Sequence, residues 1–167
     1  MSCLGVLFSL DQETVSKLRS FISDDDRLDY LQQDIEDVFM NNYPERFAEL
    51  DKSWDALHRS LTDGKLSWAN GDFPLNHVII GGENLYKKDD YIMSLKTPQQ
   101  VVLIAEAIKS IDIDMLRVGY ERIDSESYGM ELTNEDFEYT WTWFNDSIVF
   151  WEKAANEKRY VLFTADQ

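Results

Sequence analysis

The sequence feature that most constrains the fold is a long predicted helix that carries aromatic side chains on two faces. Thr133 and Asp136 resemble a capping box, and apolar spacing continues the helix to about Glu157. One face is a stripe at steps of three and four residues, formed by Phe137, Trp141, Phe144, Ile148, Trp151 and Ala155. Nearly opposite, at about 100° per residue, lies a second set, formed by Tyr139, Trp143 and Phe150. Such a helix is covered on both sides within the monomer, or its second face is a surface for a partner or a homodimer.

The rest of the chain alternates between short apolar runs and amphipathic segments. The short runs are predicted to be strands, over Cys3–Leu10, His77–Ile80, Tyr91–Leu95 and Tyr160–Phe163. With helices between them, this order predicts an α/β fold, in which a small, mostly mixed sheet of about four short strands is covered by helices as a three-layer sandwich. A length of 167 residues is enough for one core, and residues 1–167 are predicted to form a single domain.

Capping residues and apolar spacing place the remaining helices. One begins at the acidic run 24–26, where negative charge meets the positive end of the helix dipole. The next follows Pro44 and carries the most regular apolar stripe in the chain, formed by Phe47, Leu50, Trp54, Leu57 and Leu61. Thr97 as N-cap and Pro98 at the first helical position predict a further helix.

The balance of charge excludes several classes of partner. Asp and Glu number 32 against 16 Lys and Arg, which gives a formal net charge of −16. Such a chain repels a phosphate backbone and an anionic membrane surface, and it has no basic patch, so neither nucleic acid nor a membrane is expected as a partner. The sequence shows no basic leader and no apolar run of bilayer length, and the predicted location is the cytoplasm.

Metal and cofactor motifs do not occur in the sequence. The chain has one cysteine, Cys3, and two histidines, His58 and His77, with no pair at metal-ligand spacing, so no metal site is predicted. Gly81-Gly82 follows an apolar run but lacks the further glycine or the lysine of a phosphate-binding loop, and no cofactor is predicted. No nucleophile-elbow motif indicates a hydrolase.

A polar stripe on the helix after Pro44 is the strongest candidate for chemistry. Its members are spaced by four, three and four residues, beside the apolar stripe, and they are Asp51, Asp55, His58 and Thr62. A histidine near Asp51 or Asp55 can be held charged and oriented, as general acid–base catalysis requires. The same arrangement can tie the helix to a neighbouring loop, and the sequence leaves both interpretations open.

The same residues resemble a known family. Residues 50–62, Leu-Asp-Lys-Ser-Trp-Asp-Ala-Leu-His-Arg-Ser-Leu-Thr, match the pattern Leu-Asp-Lys-x-Trp-x-x-Leu-His-x-x-Leu-Thr of the YfbM-like proteins. Further matches are the apolar run that ends in Gly81-Gly82, the stretch 95–101 and the Met-x-x-Leu-Gly start. Together the matches span essentially the whole chain, and their order and the chain length resemble the enterobacterial members. Arg59 departs from the family pattern, which often has tyrosine at this position.

The resemblance implies a fold and leaves the function open. It implies a small three-layer α/β arrangement, in agreement with the order of elements described above. It implies no activity, substrate or cofactor, because the family is a bacterial domain of unknown function. Related domains occur near bacterial toxin genes, which implies an acidic inhibitor of a basic toxin as one alternative.

Three functional hypotheses follow from the sequence. The leading one is a non-enzymatic cytoplasmic domain that binds a small ligand or a protein in a cleft. The predicted cleft residues are Asp51, Lys52, Trp54, Asp55, His58, Thr62, Gly81 and Gly82. The first alternative is a small hydrolase or transferase, with His58 as general base and the Gly81 and Gly82 amides as anion donors. The second is the acidic inhibitor of a basic toxin.

Overall fold

The computed structural model describes residues 3–167, and one antiparallel sheet lies at its centre. The strands are β1 (Gly5–Leu10), β2 (Phe47–Asp51), β3 (Glu83–Asn84), β4 (Tyr91–Lys96) and β5 (Tyr160–Asp166). They are ordered β2-β1-β5-β4-β3, and every neighbouring pair is antiparallel. The α/β class is confirmed, whereas the prediction of a mostly mixed sheet of about four strands is wrong.

Helices account for most of the remaining chain. They are α1 (Gln12–Ser20), α2 (Asp24–Tyr30), α3 (Asp37–Asn42), α4 (Trp54–Leu61), α5 (Pro98–Ile108), α6 (Ile113–Glu121), α7 (Ser125–Tyr128) and α8 (Asn134–Asn156). A π-helical segment, Leu31–Glu36, joins α2 to α3 without a break. Short 3₁₀ turns lie at Pro44–Arg46 and Leu75–His77.

The sheet has a hydrophobic core on each face. Along β1, Phe8 packs in the core beneath α1 to α3, whereas Leu7 packs in the core beneath α4 to α8. In β5, Leu162 and Phe163 alternate in the same way. Successive strand residues point to opposite faces, so strands with buried apolar residues on both faces require helices on both sides. Helices therefore cover the sheet from above and below.

Local capping determines where two of the long helices begin. Thr97 and Gln100 form a capping box at the start of α5, with Pro98 in its first turn. At the start of α8, the Thr133 side chain accepts a hydrogen bond from the Asp136 backbone N–H. Both helix starts confirm the sequence prediction, because a cap depends only on residues within one turn.

The helix predicted after Pro44 is the largest correction to the sequence analysis. Residues 47–51 form strand β2 and pair with β1, and only Trp54–Leu61 are helical. Phe47, Leu50 and Trp54 are spaced by three and four residues, as the apolar residues of a helix are. Here the spacing arises because strand residues of β2 and the first residue of α4 pack against the interior of the protein. Pairing with β1 is a non-local interaction, and it decides the structure here.

The strand predicted over His77–Ile80 is also absent from this part of the described chain. Leu75–His77 form a 3₁₀ turn, and Val78, Ile79 and Ile80 are buried without a strand partner. A short apolar run signals burial but does not by itself distinguish a strand from a buried turn.

Candidate functional site

The motif segment 50–62 packs into the interior of the protein. Trp54 is 4% exposed, its Nε1 donates a hydrogen bond to the Cys3 carbonyl at 2.8 Å, and its ring lies 5.7 Å from that of Phe163. Asp51 ends β2 and is not on α4, so the predicted four-residue polar stripe does not exist as one helix face. The Trp54 side chain therefore joins α4 to the sheet.

His58 is held by an amide side chain and not by a carboxylate. It is 1% exposed, and its Nε2 lies 2.9 Å from Asn70 Oδ1. Asn70 in turn donates to Thr62 Oγ1 at 3.0 Å, while Asp55 accepts from Arg59 Nε at 2.5 Å. Burial lowers the pKa of His58 below its ordinary value, although the bond to Asn70 opposes the shift. Of the two interpretations that the sequence left open, the buried position and the bond to Asn70 favour the structural one, in which His58 links α4 to the following loop.

Arg59, which departs from the family pattern, is buried and links helices α4 and α7. Its guanidinium donates to Asp55, and its Nη1 donates to Ser127 Oγ at 2.8 Å. The guanidinium carbon also lies 5.5 Å from the ring centre of Tyr128. Arg59 therefore fixes the short helix α7 against α4.

The Gly81-Gly82 turn makes a close backbone contact. The Gly81 N–H donates to the Asn76 carbonyl at 2.8 Å, so this amide is already satisfied within the protein. Gly82 has φ +138°, and a Cβ there would lie 2.6 Å from the Leu95 carbonyl oxygen. Only glycine fits this approach to β4. The proposed use of the Gly81 amide as an anion donor is corrected accordingly.

Lys96 is a buried residue that the sequence analysis missed. Its side chain is fully buried, and its Nζ lies within hydrogen-bonding distance of the Ile79 carbonyl, of Ser94 Oγ at 2.9 Å and of the Ser94 carbonyl at 3.3 Å. The ring centre of Phe163 lies 5.6 Å away. Burial lowers the pKa of Lys96 well below its ordinary value. Its position in the family stretch 95–101 is the sole signal in the sequence, and nothing in that stretch indicates burial.

The eight predicted cleft residues do not gather around one opening. Five clefts formed by residues 3–167 are lined by none of Trp54, His58 and the Gly81-Gly82 turn. Of the eight, only Asp51 lines a cleft of this kind. A ligand-binding role for the other seven stays a prediction.

The largest of these clefts lies at one end of the sheet, where β1 and β4 begin and β2 and β5 end. Its volume is about 510 Å³. It is lined by Leu4, Gly5, Val6, Gln32, Glu36, Met40, Glu49, Asp51, Tyr91, Trp143, Thr164 and Asp166. The ionisable side chains that carry charge at neutral pH are all carboxylates, and no Lys, Arg or His is among these residues. We call this opening the acidic cleft.

A β-bulge places two of the carboxylates at the acidic cleft. Gly5 pairs with Asp51 but Val6 pairs with Glu49, so Leu50 is the extra residue in β2. Asp51 has φ +49°, a left-handed conformation that is uncommon outside glycine and is tolerated best by Asp and Asn. The bulge and the left-handed turn bring both Glu49 and Asp51 to the cleft.

The π-helical segment supplies the opposite wall. Gln32 and Glu36 both lie in this segment, and π-helical turns are rare in proteins. The Tyr91 hydroxyl donates to Glu36 Oε1 at 2.5 Å. Burial raises the pKa of Glu36 above its ordinary value, the bond from Tyr91 opposes this shift, and the charge of Asp166 adds to it. Glu36 is thus a partly buried carboxylate with no cationic partner among the cleft residues.

The remaining walls combine polar and apolar groups. Asp166 Oδ1 accepts a hydrogen bond from the Leu4 backbone N–H at 2.7 Å. Leu4 and Met40 are exposed apolar side chains, and Trp143 is partly exposed. The acidic cleft therefore offers a ligand both negative charge and an aromatic surface.

The second aromatic face of α8 packs largely against β2. The Tyr139 hydroxyl accepts a hydrogen bond from the Lys52 backbone N–H at 3.0 Å, and Phe150 is buried. Trp143 lies between them and stays partly open, where it lines the acidic cleft. A partner role for these three aromatic residues stays a prediction.

Within residues 3–167, no group of three or more His, Cys, Asp or Glu side chains is arranged to hold a metal ion. Over the same residues, no helix is both long and apolar enough to cross a membrane.

The antiparallel sheet between two helical layers, with a cleft at one end, defines a small α/β domain. The chain belongs to the family described as Domain of unknown function (DUF1877), whose sequence profile matches residues 1–164. A solved structure, "The Crystal Structure of a Protein of Unknown Function YfbM from Escherichia coli", is similar over 97% of this chain and 99% of that chain. The TM-score is 0.66 at 21% sequence identity, so the fold is shared. No curated protein matches the chain.

Proposed function

We propose that this protein is a non-enzymatic, cytoplasmic binding domain that takes a positively charged group in the acidic cleft. The observation that carries the proposal is the composition of the acidic cleft, in which Glu36, Glu49 and Asp51 share one opening and no Lys, Arg or His is among the lining residues. Placing several carboxylates together costs free energy unless a cation neutralises them. A bound cation would remove that cost.

The shape and lining of the cleft favour an organic cation. A volume of about 510 Å³ lies within the range of small-molecule sites. Trp143 offers a ring face to an ammonium or guanidinium group, while the apolar side chains of Leu4 and Met40 suit the carbon stem behind such a group. The net charge of −16 adds a long-range attraction for cations.

The arrangement supports binding more than hydrolysis. The hydrolase hypothesis needs an accessible general base, whereas His58 is 1% exposed and bonded to Asn70. It also needs free amides at Gly81-Gly82, and the Gly81 amide is already bonded to Asn76. A basic protein partner, of which a basic toxin would be one case, is compatible with the acidic cleft.

The test is calorimetric titration of the purified protein with spermidine and with arginine amide, using two variants. Asp51→Asn removes a cleft charge and keeps a residue that tolerates the left-handed conformation. Asp29→Asn removes one charge from an exposed position outside the cleft and is the matched control. We expect the affinity to fall about tenfold for Asp51→Asn, to stay within about twofold for Asp29→Asn, and to weaken as salt is raised.

Two outcomes would contradict this proposal. One is the absence of binding by either cation at millimolar concentration. The other is an equal loss of affinity in both variants, which would assign the attraction to net charge and not to the cleft.

A further inference from the structure

We infer that the acidic cleft receives its cation from an extended, basic segment of a partner protein that pairs with the free edge of β2. This inference rests on the proposed function and names the class of partner. Strand β2 is at the end of the sheet order, and β1 is its one strand neighbour within residues 3–167. Among the described residues, the backbone of residues 47–49 has no hydrogen-bond partner outside β1. An open edge of this kind can accept a further strand.

An apolar groove lies beside this edge. The groove has a volume of about 330 Å³ and runs between β2 and α8. It is lined by Pro44, Glu45, Phe47, Ala48, Glu49, Trp143, Asp146, Ser147, Val149, Phe150 and Lys153. Val149 is 70% exposed, which is high for a large aliphatic side chain. We call this surface the β2–α8 groove.

The β2–α8 groove is continuous with the acidic cleft. Glu49 and Trp143 line both openings. Strand β2 runs from Phe47 to Asp51 and ends at the cleft. A segment of about five residues paired along β2 spans roughly 17 Å, so the residue at its end reaches Asp51.

Charge complementarity selects the occupant. The groove adds Glu45 and Asp146 to the carboxylates of the cleft, and its one cation, Lys153, is already paired with Glu157 at 2.8 Å. A second copy of this chain would bring the same acidic rim and a further charge of −16 against this edge. In a segment that alternates lysine or arginine with aliphatic residues, the aliphatic side chains would instead lie on the apolar groove, and a basic side chain would enter the cleft.

The test uses the acetylated and amidated peptide Lys-Val-Lys-Val-Lys-Val-Lys and two N-methylated forms of it. In one form the backbone nitrogens of the three valines are methylated. In the other form the backbone nitrogens of the two middle lysines are methylated. Only alternate amides of an added strand face β2, so we expect one form to bind at least tenfold more weakly and the other to bind like the parent peptide. NMR of the labelled protein should place the shifts at the amides of residues 47–51.

A matched pair of protein variants gives an independent readout. Val149→Lys places a positive charge in the β2–α8 groove, whereas Val118→Lys places the same charge on α6, at a position that is 60% exposed. We expect the peptide affinity to fall about fivefold or more in Val149→Lys relative to Val118→Lys, while the two variants bind arginine amide equally.

The outcomes separate this inference from the proposed function. Equal binding by both N-methylated peptides, with arginine amide still sensitive to Asp51→Asn, would overturn strand addition and leave the cation site in place. Loss of sensitivity to Asp51→Asn would overturn both. A dimer of the protein alone, with shifts at residues 47–51 on dilution, would assign the edge to a second copy and contradict the basic partner.

Discussion

The buried polar region around His58 and Lys96 and the acidic cleft use polar side chains in opposite ways. In the buried polar region His58 and Lys96 are enclosed, and Lys96 is surrounded by carbonyl and hydroxyl acceptors from the same chain. In the acidic cleft, the carboxylates of Glu36, Glu49 and Asp51 face a common opening, and the lining residues include no Lys, Arg or His. Polar groups that are satisfied internally maintain the fold, whereas unneutralised groups at an opening are available to a ligand.

The largest expected effect is a loss of folding stability when the buried Trp54 side chain is removed. Trp54→Ala should lower the free energy of unfolding by about 3–5 kcal/mol, because it leaves a cavity between α4 and the sheet and removes the bond to the Cys3 carbonyl. Trp68→Ala is the control, since Trp68 is 39% exposed in a loop, and it should cost about 1 kcal/mol or less. Urea denaturation measures both. Similar losses would mean that the motif segment is not a structural centre.

The next effect is a pH dependence of the free energy of unfolding, which originates at Lys96. Because burial lowers its pKa below the ordinary value of 10.5, the unfolded chain binds one more proton than the folded protein between the two values. The contribution of Lys96 to the free energy of unfolding therefore rises with pH in that window, by about 1.4 kcal/mol per unit. Denaturation at pH 7, 8 and 9 should show this rise in the natural protein, and Lys96→Met should lack it.

A second lysine provides the control for this experiment. Lys87 is exposed, and Lys87→Met should keep the pH dependence of the natural protein. If all three proteins responded alike, Lys96 would be protonated in the folded state, held as an ammonium by its three acceptor atoms.

The smallest effect concerns the stability cost of the acidic cleft. Burial raises the pKa of Glu36 above 4.5, so its contribution to stability is full below pH 4.5 and is lost as the pH rises through the raised value. Glu36→Gln stays neutral, and it should be more stable than the natural protein at pH 7, by about 1 kcal/mol or less, with no advantage at pH 4. Thermal melts at the two pH values test this. A less stable Glu36→Gln at both values would make the carboxylate a structural group, bonded to Tyr91.

Local signals were sufficient to predict part of the fold. The starts of α5 and α8 depend on Thr97 and Thr133, whose side chains bond within one turn. The strand-like runs of β1 and β5 were recognisable because nearly every residue in them is buried. Strand β2 was missed because its pairing with β1 joins residues about forty positions apart, and no local pattern encodes that contact.

The candidate site was less accessible to sequence reasoning. The continuous motif at 50–62 drew attention to residues that the fold buries, such as Trp54 and His58. The acidic cleft is assembled from separate segments, with Glu36 on a π-helical turn and Asp51 at a bulge, and neither irregularity has a sequence signature here. Of the cleft residues, Asp51 and Trp143 were the two that the sequence analysis had named as candidates for a binding cleft or a partner surface.

The position of β5 has a consequence for how the chain folds during synthesis. β5 lies between β1 and β4, so it joins the two halves of the sheet, and its contacts with β1 link positions about 150 residues apart. Because β5 contributes residues to the cores on both faces, neither core can close until residues 160–166 have left the ribosome. Such non-local closure slows folding and keeps apolar strands exposed on the nascent chain. This domain would therefore depend on chaperones more than a helical bundle of the same length, and a stop codon just before β5 would yield an aggregation-prone chain.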